Sequence, residues 1–265
     1  MNGELAAIAA IASHGSPWLA DSSARPAPEL LGSNICFQYV RRLDAQLPPR
    51  GLLQRTETAH GTAAWLDALR VRGVNRLVLV NRPTQGELPP HIAASFVNSG
   101  GWGLLATGAG RPLFWKIRWD VGAPGAPDTR VWDLTATWVP GEMLQVSVSS
   151  VDEARSSLKL ALQDIAEFAH RAGLVSWVPI FTRALAALDD AAPSPPYYAD
   201  MFPSDASLPR RQLAAAAIQG WVFGGMGSWN DMVPADRADE SEYKCMSQQL
   251  YGALLVAIST AANSA

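Results

Sequence analysis

Chemistry in this 265-residue chain would have to come from a few polar side chains set among glycines and tryptophans. The segment GWVFGGMGSWNDM, residues 220–232, presents Ser228, Asn230 and Asp231 behind Gly224, Gly225 and Gly227, flanked by Trp221 and Trp229. Glycine reaches positive φ and lets another backbone or a ligand come close. Two readings therefore stand: a helix cap followed by a tight loop, or a binding loop that presents the three polar groups. The GMGSW within it falls short of a nucleophile elbow, because Trp229 occupies the last glycine position of G-x-S-x-G. No Gly-Lys-Ser/Thr follows, so the segment is not a phosphate loop. GWGLLA (101–106) fits G-x-G-x-x-A by letter but leads into TGAG, not into a helix.

Downstream, Asp231, Asp236, Asp239, Glu240 and Glu242 surround a single Arg237. Acids near a helix start offset the macrodipole, which is one account of them. The other makes them, with Trp221, Trp229 and Asn230, an acidic, aromatic-edged surface for a basic protein partner. None of the four histidines, His14, His60, His91 and His170, has a second His, Cys or carboxylate at a recognised metal-ligand spacing, so neither metal nor cofactor is expected. His60, with Glu57 close by, is the best single candidate for acid/base work, and Asp231 is the second. His91 follows Pro89-Pro90 at a helix start, and His170 belongs near a helix C-terminus, where positive charge suits the dipole.

Composition narrows the classes. A hydrophobic share of 48% against 17% charged residues allows a sizeable core and argues against disorder. The net charge of −3 removes the long-range attraction to phosphate on which nucleic-acid binders depend. Residues 1–150 carry 13 basic and 11 acidic side chains and residues 151–265 carry 8 and 13, so the acidic excess lies at the C-terminal end. The longest weakly polar run, 250–262, is shorter than the roughly 18–20 apolar residues that span a bilayer, so no membrane segment is expected. The N-terminal apolar run holds Glu4 and no basic n-region, and only Cys36 and Cys245 are present; both observations point to a cytoplasmic protein with reduced thiols. Arg outnumbers Lys 18 to 3, which reads as the coding bias of a GC-rich bacterial genome.

The elements that must position these residues predict an α+β protein with one continuous domain over 1–265. Residues 1–50, interrupted by Pro17, Pro26, Pro28 and Pro48-Pro49, are expected to wrap the body irregularly after a short N-terminal helix. Residues 51–150 read as mostly β. A helix near 62–72, with Thr62 as its cap and Gly73 as its stop, precedes a strand in VNRLVLVNRP. WGLLATG, LFWKIRWDV, VWDLTATWV and MLQVSVSS then predict an antiparallel meander of about four or more strands with tryptophans along one face. Most of these tryptophans read as core, with Trp102, Trp221 and Trp229 at the rim of a pocket.

Residues 151–265 read as mostly α. Ser150 and Glu153 form a capping box, Pro179 suits a first turn, Ser207 caps an alanine-rich helix running to Phe223, and a last helix starts near Ser241. The proline-rich stretch 189–207 reads as a surface excursion. The function this predicts is a non-enzymatic bacterial interaction module, of the immunity or inhibitor kind, that neutralises a toxin or effector through its acidic C-terminal surface. The alternative is a small-molecule enzyme of specialised metabolism with a pocket beside residues 224–231.

Overall fold

An asparagine followed by small apolar residues starts the chain on a helix. In the computed structural model, which describes residues 1–21, 23, 25–49, 56–82, 88–141 and 149–264, the Asn2 side chain accepts the Glu4 N–H at 2.7 Å. Helix α1 (Gly3–Ala20) follows, with Pro17 in its last turn. Leu5, Ile8, Ile11 and the alanines between them are buried all round the helix, the mark of a helix enclosed by other elements. The irregular wrapping expected over 1–50 is thereby corrected: α1 is central to the core, and β1 (Val40–Leu47) is a full sheet strand. Pro17 sits at the end of the helix, where losing one backbone hydrogen bond does least harm. Gly15 brings α1 against the sheet, since a Cβ there would stand 2.8 Å from Leu66 and 3.0 Å from Leu77.

The sheet runs in the order β2 (Glu57–His60), β1, β6 (Trp132–Val139), β5 (Leu113–Val121), β4 (Trp102–Gly108), β3 (Val74–Asn81). Strands β3 to β6 are antiparallel as their alternation predicts, with Trp115 opposite Trp138 and Ile117 opposite Ala136. The purely antiparallel meander is corrected, because β1 pairs parallel to β6 and the sheet is mixed. The expected strand at MLQVSVSS lies mostly outside the described residues. Alternation separates two faces: Leu77, Leu79, Leu104, Trp115 and Trp119 join the main core, whereas Val78, Val80, Leu105 and Phe114 make a smaller cluster opposite.

Edge strands expose backbone groups that need partners. At β3 these come from side chains. Ser16 Oγ donates to Leu77 O at 2.8 Å and accepts Leu77 N–H at 3.0 Å, and Asn263 exchanges two hydrogen bonds with the N–H and C=O of Leu79 at 2.8 and 3.0 Å. Where β5 runs past the start of β4, Asn98 does the same for Trp119, at 2.9 and 2.8 Å. Each side chain stands in for one residue of a missing neighbouring strand.

Helix α2 (Gly61–Val71) ends before Gly73, whose φ is +74°. Thr62 does not cap it as expected. Glu29 takes that place, accepting the Thr62 and Ala63 N–H groups at 3.3 Å, and Thr62 Oγ1 accepts Leu30 N–H at 2.8 Å. After the short α3 (Pro90–Ala93), the chain from residue 151 is helical: α4 (Val151–Arg171), α5 (Val178–Ala187), α6 (Leu208–Gln219) and α7 (Glu240–Asn263). The Ser150–Glu153 capping box forms as the sequence predicts. Helix α7 packs on α4, α6, α1 and β3, which ties the helical half to the sheet. The stretch 189–207 is only partly an excursion, because Met201 is fully buried and its carbonyl accepts the Ser13 hydroxyl at 2.6 Å. Cys36 is buried, Cys245 is exposed and both are free. Among the described residues no helix is long and apolar enough to cross a membrane.

Candidate functional site

The glycine-aromatic segment closes on itself. Helix α6 ends at Gln219 with Gly220 as its cap, four residues before the expected stop, because the following Trp221, Val222 and Phe223 are drawn into the core as non-helical chain. The Trp229 N–H returns to Val222 O at 3.1 Å, and Ser228 Oγ donates to Gly224 O at 3.0 Å. The Asp231 carboxylate accepts Gly227 N–H at 2.6 Å, across a backbone that Gly227 carries at φ +81°. Met226, at the tip, is 102% exposed.

Behind this loop lie two aromatic nests. Trp229 is fully buried against Trp177, Phe181 and Tyr243, with centroids 5.5, 5.4 and 5.3 Å away, and its Nε1–H donates to Ser247 Oγ at 2.7 Å. The Tyr243 hydroxyl donates to the Trp229 carbonyl, and burial pushes its pKa up to about 12. Trp221, Phe223 and Tyr251 form the second nest, and the His91 ring joins it, 5.5 Å from Phe223 and 6.4 Å from Tyr251. Trp221 and Trp229 are therefore core residues and not the rim expected of them.

Asn230 ties the loop to α3, its Nδ2 donating to His91 O at 3.2 Å and to Ser95 Oγ at 2.9 Å. A carbonyl can only accept, so this contact fixes the amide with its nitrogen towards α3. Asn230 Oδ1 is left buried with no partner among the described residues, and so is His91 Nδ1. Both residues border one cavity of about 450 Å³, walled by Ile92, Met232, Val233 and Tyr243, with Glu240 and Lys244 also on its lining. Burial lowers the His91 pKa and keeps the imidazole neutral, so the ring offers one N–H and one lone pair.

The acidic cluster makes local contacts. Asp236 accepts Ala238 N–H at 2.9 Å, Glu242 pairs with Arg171 at 2.6 Å with Asp239 3.9 Å from the same guanidinium, and Lys244 at 2.7 Å holds the Glu240 carboxyl below its usual range. His60 lies far along the chain at the β2 edge, largely exposed, with its Nδ1 2.8 Å from Asp44. The expected companion Glu57 pairs with Arg72 instead. The structure thus brings Asn230, Glu240 and the loop to one cavity, and it leaves His60 apart. His91 is a site residue that the sequence reading did not single out; the aromatic rings that surround it arrive from α7 and the loop, which no local pattern announces. Trp102 borders a different cavity, beside Glu4 and Asn98. Among the described residues no group of three or more His, Cys, Asp or Glu could hold a metal ion. Compared with known proteins, the chain matches no family model, no curated protein and no solved structure.

Proposed function

We propose that the protein binds a small molecule in the cavity between α3, residues 229–234 and the start of α7. The observation that carries this reading is the pair of buried, unpartnered polar atoms, His91 Nδ1 and Asn230 Oδ1, on residues lining the same space. A buried polar group without a partner costs about 1–3 kcal/mol, which a ligand that supplies the missing hydrogen bonds recovers. The volume falls within the roughly 300–1,000 Å³ of small-molecule sites, and the mostly apolar wall with few polar groups is their usual make-up. The ligand would be largely apolar and carry an N–H or O–H for Asn230. As an enzyme of specialised metabolism the protein would use neutral His91 as its acid/base group, in place of His60 and Asp231.

A thermal-shift screen of neutral fragments tests the reading with three proteins: wild type, His91→Phe, which keeps an aromatic ring against Phe223 and Tyr251, and Val233→Trp, which fills the cavity from an exposed wall. Fragments that raise the wild-type melting temperature and lose their effect in both variants support it. A screen whose only hits act equally on all three proteins removes it.

A second reading keeps the acidic, glycine-aromatic surface as a contact for a basic toxin or effector, with the protein as its non-enzymatic inhibitor. It is favoured by the exposure of Met226 (102%) and Val233 (79%) beside those acids, since apolar side chains so placed suit an interface. A stoichiometric basic partner captured by wild type and lost with Met226→Asp would establish it; capture that is indifferent to Met226, Asp236 and Glu242 would remove it.

A further inference from the structure

A second cavity, of about 370 Å³, opens where the sheet parts. The pairing of β4 with β5 stops at Gly103 opposite Lys116, and β5 continues towards Trp119, where Asn98 supplies the next hydrogen bonds. Between these two anchor points lies a window at Ile117 and Arg118, framed by turns at Asn98 (φ +65°) and Gly101 (φ +69°). On the helix side the lining includes Glu4, from the first turn of α1. On the other side it includes Lys116 and Arg118, which alternate with the inward-facing Trp115, Ile117 and Trp119.

Glu4 is only 6% exposed. It accepts one hydrogen bond, from Asn98 N–H at 2.8 Å through Oε1, and makes no ion pair among the described residues. A carboxylate withdrawn from water needs a cation or further donors, and the α1 N-terminus offsets only part of that need. Burial accordingly raises its pKa. Three cations line the window: half-buried Arg82, whose guanidinium lies 5.9 Å from the Phe114 ring centroid, and at the exposed end Lys116, which has no ion-pair partner among the described residues, and Arg118, which shares Asp120 at 2.9 Å. Trp102, Phe114 and Ile117 line the apolar throat between the two ends. A simple amine would be repelled at the mouth, and a simple carboxylate would meet Glu4 inside.

We propose that this window binds an elongated zwitterion, an ω-amino carboxylate, with its amine on Glu4, its chain between Trp102 and Ile117, and its carboxylate at Lys116. The site is separate from the His91 cavity, so Val233→Trp leaves it intact and the two proposals fail independently.

Calorimetric titration with the series from 3-aminopropanoate to 8-aminooctanoate, and with hexanoate and hexylamine as single-charge controls, tests it. One chain length should bind best, with both controls weaker by about tenfold or more, and Lys116→Gln should weaken that ligand by about tenfold. Glu4→Gln should weaken the zwitterion by about as much and leave hexanoate unaffected or improved. Lys116 is exposed, so its variant remains informative even if Glu4→Gln fails to fold. Either control binding within about threefold of the best zwitterion, or no member of the series binding at a Kd below roughly 10 mM, overturns the proposal.

Discussion

Two segments of this chain look alike as sequence and differ in physics. SGGWG, at 99–103, and FGGMGSW, at 223–229, each set glycines beside a tryptophan, and each is held by an asparagine, Asn98 or Asn230. In the first, the glycines make room for rings: a Cβ on Gly100 would stand 2.3 Å from Trp102, and one on Gly103 would stand 2.6 Å from both Phe114 and the Trp115 carbonyl. In the second, a Cβ on Gly225 or Gly227 would meet nothing within 4 Å, and only the positive φ of Gly227 asks for glycine. Glycine beside tryptophan therefore means packing in one place and a turn in the other, a distinction that the neighbours make and the letters do not.

Substitution should separate the two. Gly103→Ala pushes a methyl into a ring and a backbone carbonyl within a paired strand, and should cost about 3 kcal/mol in urea unfolding. A cost under about 1 kcal/mol would mean that β4 yields easily there and would dissolve the contrast. Asn98→Ala follows at about 2 kcal/mol, since it strips both Trp119 backbone groups of their partner and leaves alanine at φ +65°. Asn230→Ala should cost less, about 1 kcal/mol, because its two acceptors are one carbonyl of the short α3 and the half-buried Ser95 hydroxyl just beyond it, and no strand pairing depends on them.

The second segment also borders the group whose charge should matter near neutral pH. His91 has its pKa lowered by burial, so the folded protein disfavours the proton that the unfolded chain accepts near 6.5. Its contribution to stability is present above that value and is lost as pH falls below it, through the lowered folded pKa. His14, lowered by burial in the same direction, adds to this. His91→Phe should keep the ring contacts with Phe223 and Tyr251 and show a smaller loss of urea midpoint between about pH 7.5 and pH 5.5 than wild type, with the remainder due to His14 and to the Met1 amine, whose pKa burial lowers to about 5. An unchanged loss would show that the ring is hydrated when protonated and that the cavity is open to water.

The comparison also explains what was legible in the sequence. Strand alternation through Trp115, Ile117 and Trp119, the Ser150–Glu153 capping box and the stop at Gly73 are local signals, and the structure realises them. The parallel seam between β1 and β6, the burial of α1 and the surrogate pairing by Ser16, Asn98 and Asn263 join residues far apart in the chain. Nothing near Leu79 announces that Asn263 completes its hydrogen bonds. The same holds for the site. Asn230 stood out by its company of glycines, whereas His91 became part of it only through Phe223 and Tyr251, and Glu4 became a buried carboxylate only through the window around Asn98.

The smallest expected effects lie at the exposed tip and are the sharpest probe of the turn reading. Gly227→Ala forces a side chain into the left-handed region and should cost about 1 kcal/mol, although the space is open. Gly225→Ala meets neither obstacle, and it restricts the unfolded chain, so stability should change by less than about 0.5 kcal/mol or rise slightly. If Gly225→Ala leaves stability alone yet abolishes fragment binding at the His91 cavity, the loop must move to admit ligand and its glycines serve motion as well as the turn. If binding is also unchanged, the glycine tip takes no part in admitting ligand, and recognition rests on Asn230 and His91 as the structure holds them.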